Sequence, residues 1–360
     1  MIIPQTMKAV VTMGHGGLDQ LVYHQEWPCP IPKENEVLIK VHACGLNNTD
    51  VNTRSGWYSK KVRDQTTGEA FDSIDLHDPT WGGNPIVFPR IQGADVCGEI
   101  VEVGNNIENK RIGERVITDN WIRDINNPED KNKVGYFGSE FDGGFAEYAV
   151  IPSVNAITIN SPLSSKELAT FSCSYSTAEG MLTRANVDEK DTILVTGASG
   201  GVGSALVQLA KLHGARVIAL ASEVKHDDVT ALGADRVLPR VPGHLKSVLG
   251  DDKITVVADI VGGDYWPHLI DCLERGGRYT CSGAIAGPIV TLDLRTFYLR
   301  DLTFIGSTVI DQDVTPRLVG YIESGAIKPV LAATYPLENL QEAQSAFIAK
   351  KHTGNIVVCP

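Results

Sequence analysis

Near the middle of the chain the hydrophobic period changes sharply within a few residues. Thr192–Val195 is a short apolar, β-rich run of the kind that makes a buried parallel strand. From Val202 onward Ala205, Leu206, Leu209 and Ala210 mark one face of a helix. Between the two lie Gly197, Gly200, Gly201 and Gly203, in the pattern Ala198-x-Gly200-x-x-Gly203. Ala198 stands where the dinucleotide fingerprint usually has its first glycine. A strand, a glycine-rich turn and a helix start make a phosphate site. The glycines let the backbone approach a pyrophosphate, whose charge meets the free N–H groups of the helix N-terminus. A second β-like run over 216–221 supplies the context that the fingerprint needs.

The same alternation continues on both sides. Helical patterns near 224–232 and 265–274 separate β-like runs over 216–221, 254–261, 277–282 and 302–308. Alternation of this kind predicts a parallel sheet covered by helices on both faces. Before it, Ser164 followed by 166–169 reads as a capped helix start. After 312 come a helix, an extended piece over 332–335, a helix over 342–350 and a last strand over 355–358.

The first 151 residues read differently, as short strands over 8–13, 36–43, 98–103 and 115–118, broken by glycine and proline. Within them 59–89 is polar and without sustained period, and carries Gly68, Pro79, Gly82, Gly83 and Pro85. A loop of that length is uncommon in a compact domain unless it is functional. A second polar stretch, 119–142, is expected to behave in the same way.

Composition narrows the classes. At 360 residues two domains are the default, and 42% hydrophobic with 21% charged residues gives ample core. A net charge of −12 argues against a nucleic-acid binder that works by neutralising phosphates. No run approaches a membrane span, and the start of the chain lacks the apolar region of a signal peptide. Seven scattered cysteines without a C-x-x-C pair are the usage of a reducing, cytoplasmic setting.

At this point the chain resembles the medium-chain dehydrogenase/reductase superfamily, and most closely its zinc-free quinone oxidoreductase branch. The resemblance is nearly full length. It rests on ACGLNNTDVNTRSGWY (43–58), IQGADVCGEIVEVG (91–104), GGFAEYAVIP (143–152), VTGASGGVGSALVQLAK (195–211) and TGNIVV (353–358). It implies an α/β architecture with a GroES-like, β-rich catalytic domain made of 1–152 and 309–360, carrying the insertion 59–89. A Rossmann domain with a doubly wound parallel sheet would occupy 153–308. Relatives pair two such sheets edge to edge through the strand at 302–308, so a homodimer is expected.

The resemblance also bears on metal. Zinc alcohol dehydrogenases of this superfamily take ligands from a Cys-His-Thr stretch, a Gly-His-Glu stretch and a later cysteine or carboxylate. Here these fall on Asn47-Asn48-Thr49, on Gly93-Ala94-Asp95 and on Cys173. One thiolate cannot build a site that needs three protein ligands. The stretch 119–142 contains no cysteine for a structural zinc. No metal is expected, and the acids around His77 read as a solvated loop.

For the dinucleotide, Gly197, Ala198, Gly200, Gly201, Val202 and Gly203 would hold the pyrophosphate. An NAD site places an acid at the end of the second strand, about 20 residues past the fingerprint. That position is Ala221, and Ser222 and Lys225, with His226, suit a 2′-phosphate instead. Glu223 complicates this reading, which favours NADP(H). By resemblance Val261, Gly262, Gly283, Ala284, Gly306 and Ser307 line the nicotinamide half. Thr177 would reach its ribose or carboxamide, and Asn355 stands where many relatives carry a lysine.

Without a Lewis acid, alcohol oxidation is disfavoured, whereas hydride delivery to an activated carbon–carbon double bond remains open. Asn47 is assigned to hydrogen bonding of a substrate carbonyl or the nicotinamide. Tyr58 is a proton donor or polar wall, and Asp50 an orienting residue. Asn52 replaces the aromatic residue of several relatives. The expected substrate is a small quinone or α,β-unsaturated carbonyl, with no nucleic acid and no membrane as partner. An enoyl-thioester reductase, with weak support from Lys60, Lys61 and Arg63, and a non-catalytic NADPH-binding sensor or structural protein stay open. A zinc alcohol dehydrogenase is least favoured. The insertion reads as a lid or enlarged pocket wall bringing Trp57, Phe71 and Trp81 to the cleft, or as a surface decoration.

Overall fold

A computed structural model describes residues 3–360 apart from 79, 82 and 242, so Pro79 and Gly82 of the insertion lie outside the described residues. The mid-chain alternation folds into a six-stranded, all-parallel sheet. Its order is Arg236–Pro239, Arg216–Ala221, Thr192–Val195, Ile254–Asp259, Leu273–Cys281 and Thr303–Gly306. Ile193, Leu194, Val195, Val217, Ile218, Val256 and Val257 are fully buried. Strands covered on both faces read as continuous apolar runs for that reason. The chain enters at Thr192–Val195, winds to one side, then returns to the other. The strand order therefore reverses beside Thr192–Val195, and the crevice outside such a reversal is where sheets of this type take ligands.

The β-rich part is a second sheet, in the order Ala156–Thr158, Arg115–Thr118, Asp95–Val103, Glu36–Gly45, Asn355–Cys359 and Leu331–Pro336. Tyr148–Pro152 also pairs with Glu36–Gly45, and a smaller sheet joins Leu21–Pro28, Thr6–Thr12 and Arg90–Ile91. Val357 lies opposite Gly45, so the tail of the chain re-enters the sheet begun at its head. Because Ala156–Thr158 pairs with Arg115–Thr118, this sheet continues past the expected boundary at 152.

Three local differences from expectation matter for the site. First, 119–142 is not a structureless loop: Trp121–Arg123 and Val134–Tyr136 pair as a hairpin that sets Trp121 opposite Tyr136. Strands this short leave no readable alternation in the sequence. Second, the cap at Ser164 forms, with its Oγ accepting from the Glu167 N–H and Glu167 accepting from the Ser164 N–H. Its helix stops at Leu168, and a separate helix, Ser172–Arg184, follows. The second helix buries Tyr175, Ala178, Met181 and Leu182 beside Ala205 and Leu209 of Gly201–Leu212, which brings Cys173 and Thr177 to the crevice.

Third, no helix or strand occurs among the described residues of 59–89, yet the segment is tied down on both sides of the crevice. The Trp57 indole donates to the Asp64 carbonyl (2.9 Å) and the Arg54 guanidinium to the Gly68 carbonyl (3.0 Å). On the parallel-sheet side, the Thr66 N–H donates to the Ile285 carbonyl (2.9 Å). Among the described residues no helix is long and apolar enough to cross a membrane.

Candidate active site

The glycine turn is built by close approach. Gly197 has φ +58°, and a Cβ on Gly203 would lie 2.1 Å from the Gly197 carbonyl oxygen. A Cβ on Gly201 would lie 2.4 Å from Asn355 Oδ1 and 2.5 Å from Ser174 Oγ. Helix Gly201–Leu212 begins without a side-chain cap, which leaves its first N–H groups for an anion. Gly197, Gly200, Gly201 and Val202 line the groove above the turn. Ala198 is fully buried and, with Gly203, shapes the turn from behind.

Val261 and Gly262 also line this groove. Their loop is fixed by Asp259, whose carboxylate accepts from Thr196 Oγ1 (2.6 Å), the Val261 N–H (2.9 Å) and Tyr279 Oη (2.7 Å). Ser222 and Lys225 lie in the groove, and the exposed Glu223 is not part of its lining. The Lys225 ammonium donates to the carbonyls of Lys350 (2.9 Å) and His352. Burial draws the Lys225 pKa down.

Sequence reading missed two cations in the same groove, Arg240 and Lys350. The Lys350 ammonium donates to Asn48 Oδ1 (2.9 Å) and sits 3.6 Å from the Phe347 ring centroid. Its burial and the nearby Lys225 charge bring it down to about 7. No local motif marks either residue; only the fold brings them to the groove.

Beyond Val202 the groove opens into a cleft of about 220 Å³. Asn47, Tyr58, Thr177, Gly283, Ala284 and Asn355 line it. Gly306 and Ser307 do not. Gly306 lies on the edge strand, Ser307 is buried with its N–H on the Cys281 carbonyl, and Thr308 takes the lining position. Asn355 Oδ1 accepts from Ser174 Oγ at 3.0 Å, so it braces the glycine turn.

Asp50 is not in the cleft wall either. It stands behind Asn47, accepting from the Asn47 N–H (2.8 Å) and the Gly93 N–H (3.2 Å). Burial lifts its pKa to about 7 against the pull of those bonds. Asp50 therefore meets the backbone of Asn47 and Gly93 and not the cleft. In front of it, Asn47 and Thr49 line the cleft; the Asn47 side chain also lies against the buried Asp95 carboxyl, while Thr49 Oγ1 is buried without a hydrogen-bond partner. A group left so is costly unless a ligand completes it.

Burial also lifts Tyr58, opposed by the neighbouring Asn52 side chain, so its hydroxyl keeps its proton. Cys173 is raised as well, first by burial and then by Asp95, with the Tyr136 and Thr177 hydroxyls beside its thiol. Its own N–H donates to Asp95 Oδ1 at 2.8 Å, which also accepts from Asn120 Nδ2 at 3.0 Å.

This donor set does not fit a catalytic zinc. Asn47 and the apolar Ala94 occupy two ligand positions, and the Asp95 oxygen facing Cys173 is engaged by protein donors. No three His, Cys, Asp or Glu side chains among the described residues are placed to share a metal ion.

Residues 33–161 match the family of alcohol dehydrogenase GroES-like domains, and 201–324 match the family of zinc-binding dehydrogenases. A solved structure from Sinorhizobium meliloti 1021, provisionally named an alcohol dehydrogenase, is 44% identical over 99% of this chain and 98% of its own, with a TM-score of 0.91. The chain belongs to the medium-chain dehydrogenase/reductase superfamily, in its quinone oxidoreductase-like branch. Among curated relatives of this chain, the human quinone oxidoreductase is 28% identical over 98% of this chain and 97% of its own length. The acryloyl-coenzyme A reductase of Metallosphaera sedula is 28% identical over 98% and 99%. The chain thus carries its family's GroES-like and Rossmann-like parts but departs from the zinc-ligand pattern at Asn47 and Ala94.

Proposed function

We propose that this oxidoreductase uses NADPH, without a metal, to reduce the activated double bond of a quinone or α,β-unsaturated carbonyl. The observation that carries the reading is the Asn47 amide and the Thr49 hydroxyl in the lining of a cleft that shares Gly201, Val202 and Ile260 with the glycine-turn groove. NADPH, when bound, supplies hydride for the β-carbon. The two donors meet the carbonyl oxygen as negative charge develops on it, the role of an oxyanion hole. Asp50 holds the Asn47 backbone, and so sets where the amide points. Tyr58, kept protonated by burial, supplies the proton for the α-carbon, and solvent restores it. Lys225, Ser222 and Arg240 would receive the 2′-phosphate, which favours NADPH over NADH.

The division into a catalytic part (1–152 and 309–360) and a dinucleotide part (153–308) belongs to the same proposal. An enoyl-thioester reductase is the second reading, favoured by the similarity to the acryloyl-coenzyme A reductase. The test follows NADPH absorbance with quinones, short enones and a crotonyl thioester, with NADH in parallel and with or without a chelator. Turnover preferring NADPH and indifferent to chelator is expected, and the best substrate separates the two readings. Activity lost to the chelator would overturn the metal-free assignment.

A further inference from the structure

The 59–89 segment places Trp81 in the cleft wall, where it meets rings from two other segments. Its ring centroid is 4.9 Å from Tyr58 at 67° and 5.2 Å from Tyr136 at 38°. Tyr136 in turn meets Trp121 edge-on at 4.9 Å, the pair that the hairpin register sets face to face. Trp121 and Tyr136 are 5% exposed and anchored in the core. Trp81 and Tyr58 are only partly buried, and the open space they face is the cleft also lined by Val202 and Ser282.

The cleft wall therefore has two unlike parts. Asn47 and Thr49 offer a polar one, and Tyr58, Trp81, Trp121 and Tyr136 an aromatic one. A carbonyl compound suits both when it also carries an apolar group. Ring edges and faces add a geometric preference that a flexible chain cannot satisfy, because aromatic contacts favour stacked or edge-on partners. The phosphate-bearing arm of a coenzyme A ester finds no complement in such a wall.

We infer that Trp81 is the specificity-determining residue of this cleft and selects substrates whose activated double bond is conjugated to a flat ring. The inference rests on the reductase reading above. The test compares benzylideneacetone with the enone in which propyl replaces its phenyl group, on wild type, W81F and W81L. W81L keeps apolar volume and removes the aromatic face. It is expected to lose about tenfold in kcat/KM on the ring substrate and less than about twofold on the chain substrate, with W81F close to wild type.

Equal losses on both substrates, at unchanged NADPH affinity, would overturn the selection. Should wild type reduce neither these enones nor quinones nor a crotonyl thioester, the reductase reading fails instead. Selection is then read from binding of benzylacetone to NADP⁺-loaded protein, by quenching of tryptophan fluorescence. A weaker affinity in W81L supports it, and equal affinities overturn it.

Discussion

Asp50 and Asn47 show how a single buried acid can set a site without touching what binds there. The Asp50 carboxyl, raised from 3.8 to about 7, holds its proton in the folded chain over a range where the unfolded chain has released it. Its contribution to stability is therefore fully present below about pH 4 and is lost as the pH rises to about 7. Carboxyls such as Asp235 and Asp252 are lowered and act in the opposite sense, so the quantity to measure is a difference. D50N keeps an acceptor for the Asn47 N–H and has no proton to lose. The urea midpoint of D50N relative to wild type should rise between pH 4 and 7 and level off above. A difference that stays flat across that window would show that Asp50 is ionised throughout. Asn47 acts on chemistry in the proposed reaction. If it supplies one of two oxyanion donors, N47A should lower kcat by about a hundredfold. The KM for NADPH should hardly move, and a loss confined to KM would remove Asn47 from the oxyanion role.

At the scale of elements, the glycine turn explains its own sequence. Gly203 is required because a side chain would strike the Gly197 carbonyl, whereas a Cβ on Gly306 meets nothing within 4 Å. G203A should weaken NADPH binding at least about tenfold, because the turn must open to accept the methyl group. G306A should leave binding unchanged. The reverse pattern, measured by fluorescence titration, would undo the placement of both residues. The turn and the parallel sheet were legible because a change of hydrophobic period and a run of glycines are local signals. The strand at Arg115–Thr118 was read to the residue for the same reason. The hairpin Trp121–Arg123 with Val134–Tyr136 was not, since its strands are too short to alternate and its partners meet only through tertiary pairing. Arg240 and Lys350 were missed likewise, because nothing near either residue in the chain distinguishes it from a surface cation. Gly306 and Ser307 miss the cleft lining by a small displacement: Thr308, two residues beyond the strand end, takes that place.

At the scale of the whole molecule, the parallel sheet ends on Thr303–Gly306, whose outer edge pairs with no other strand among the described residues. Natural sheets rarely leave such an edge open, because it offers a row of backbone donors and acceptors to any passing strand. Beside it the short helix Leu294–Tyr298 exposes Leu294 (65%) and Tyr298 (60%), with Leu299 (56%) next to it. Phe297 locks this helix onto the edge strand through Phe304, 4.8 Å between ring centroids. An open strand edge and an adjoining apolar surface suit one occupant, a second copy turned about a two-fold axis. We propose that two chains pair there and extend the sheet across the interface. Sedimentation should then give twice the 38.9 kDa chain mass. The double variant L294E/L299E places four like charges across the axis and should sediment as a single chain. Because one chain supplies the whole glycine-turn groove, that monomer should bind NADPH as wild type does. Wild type sedimenting as one chain would remove the dimer. A monomeric variant that loses NADPH would mean that the interface, rather than the chain alone, holds the groove in shape.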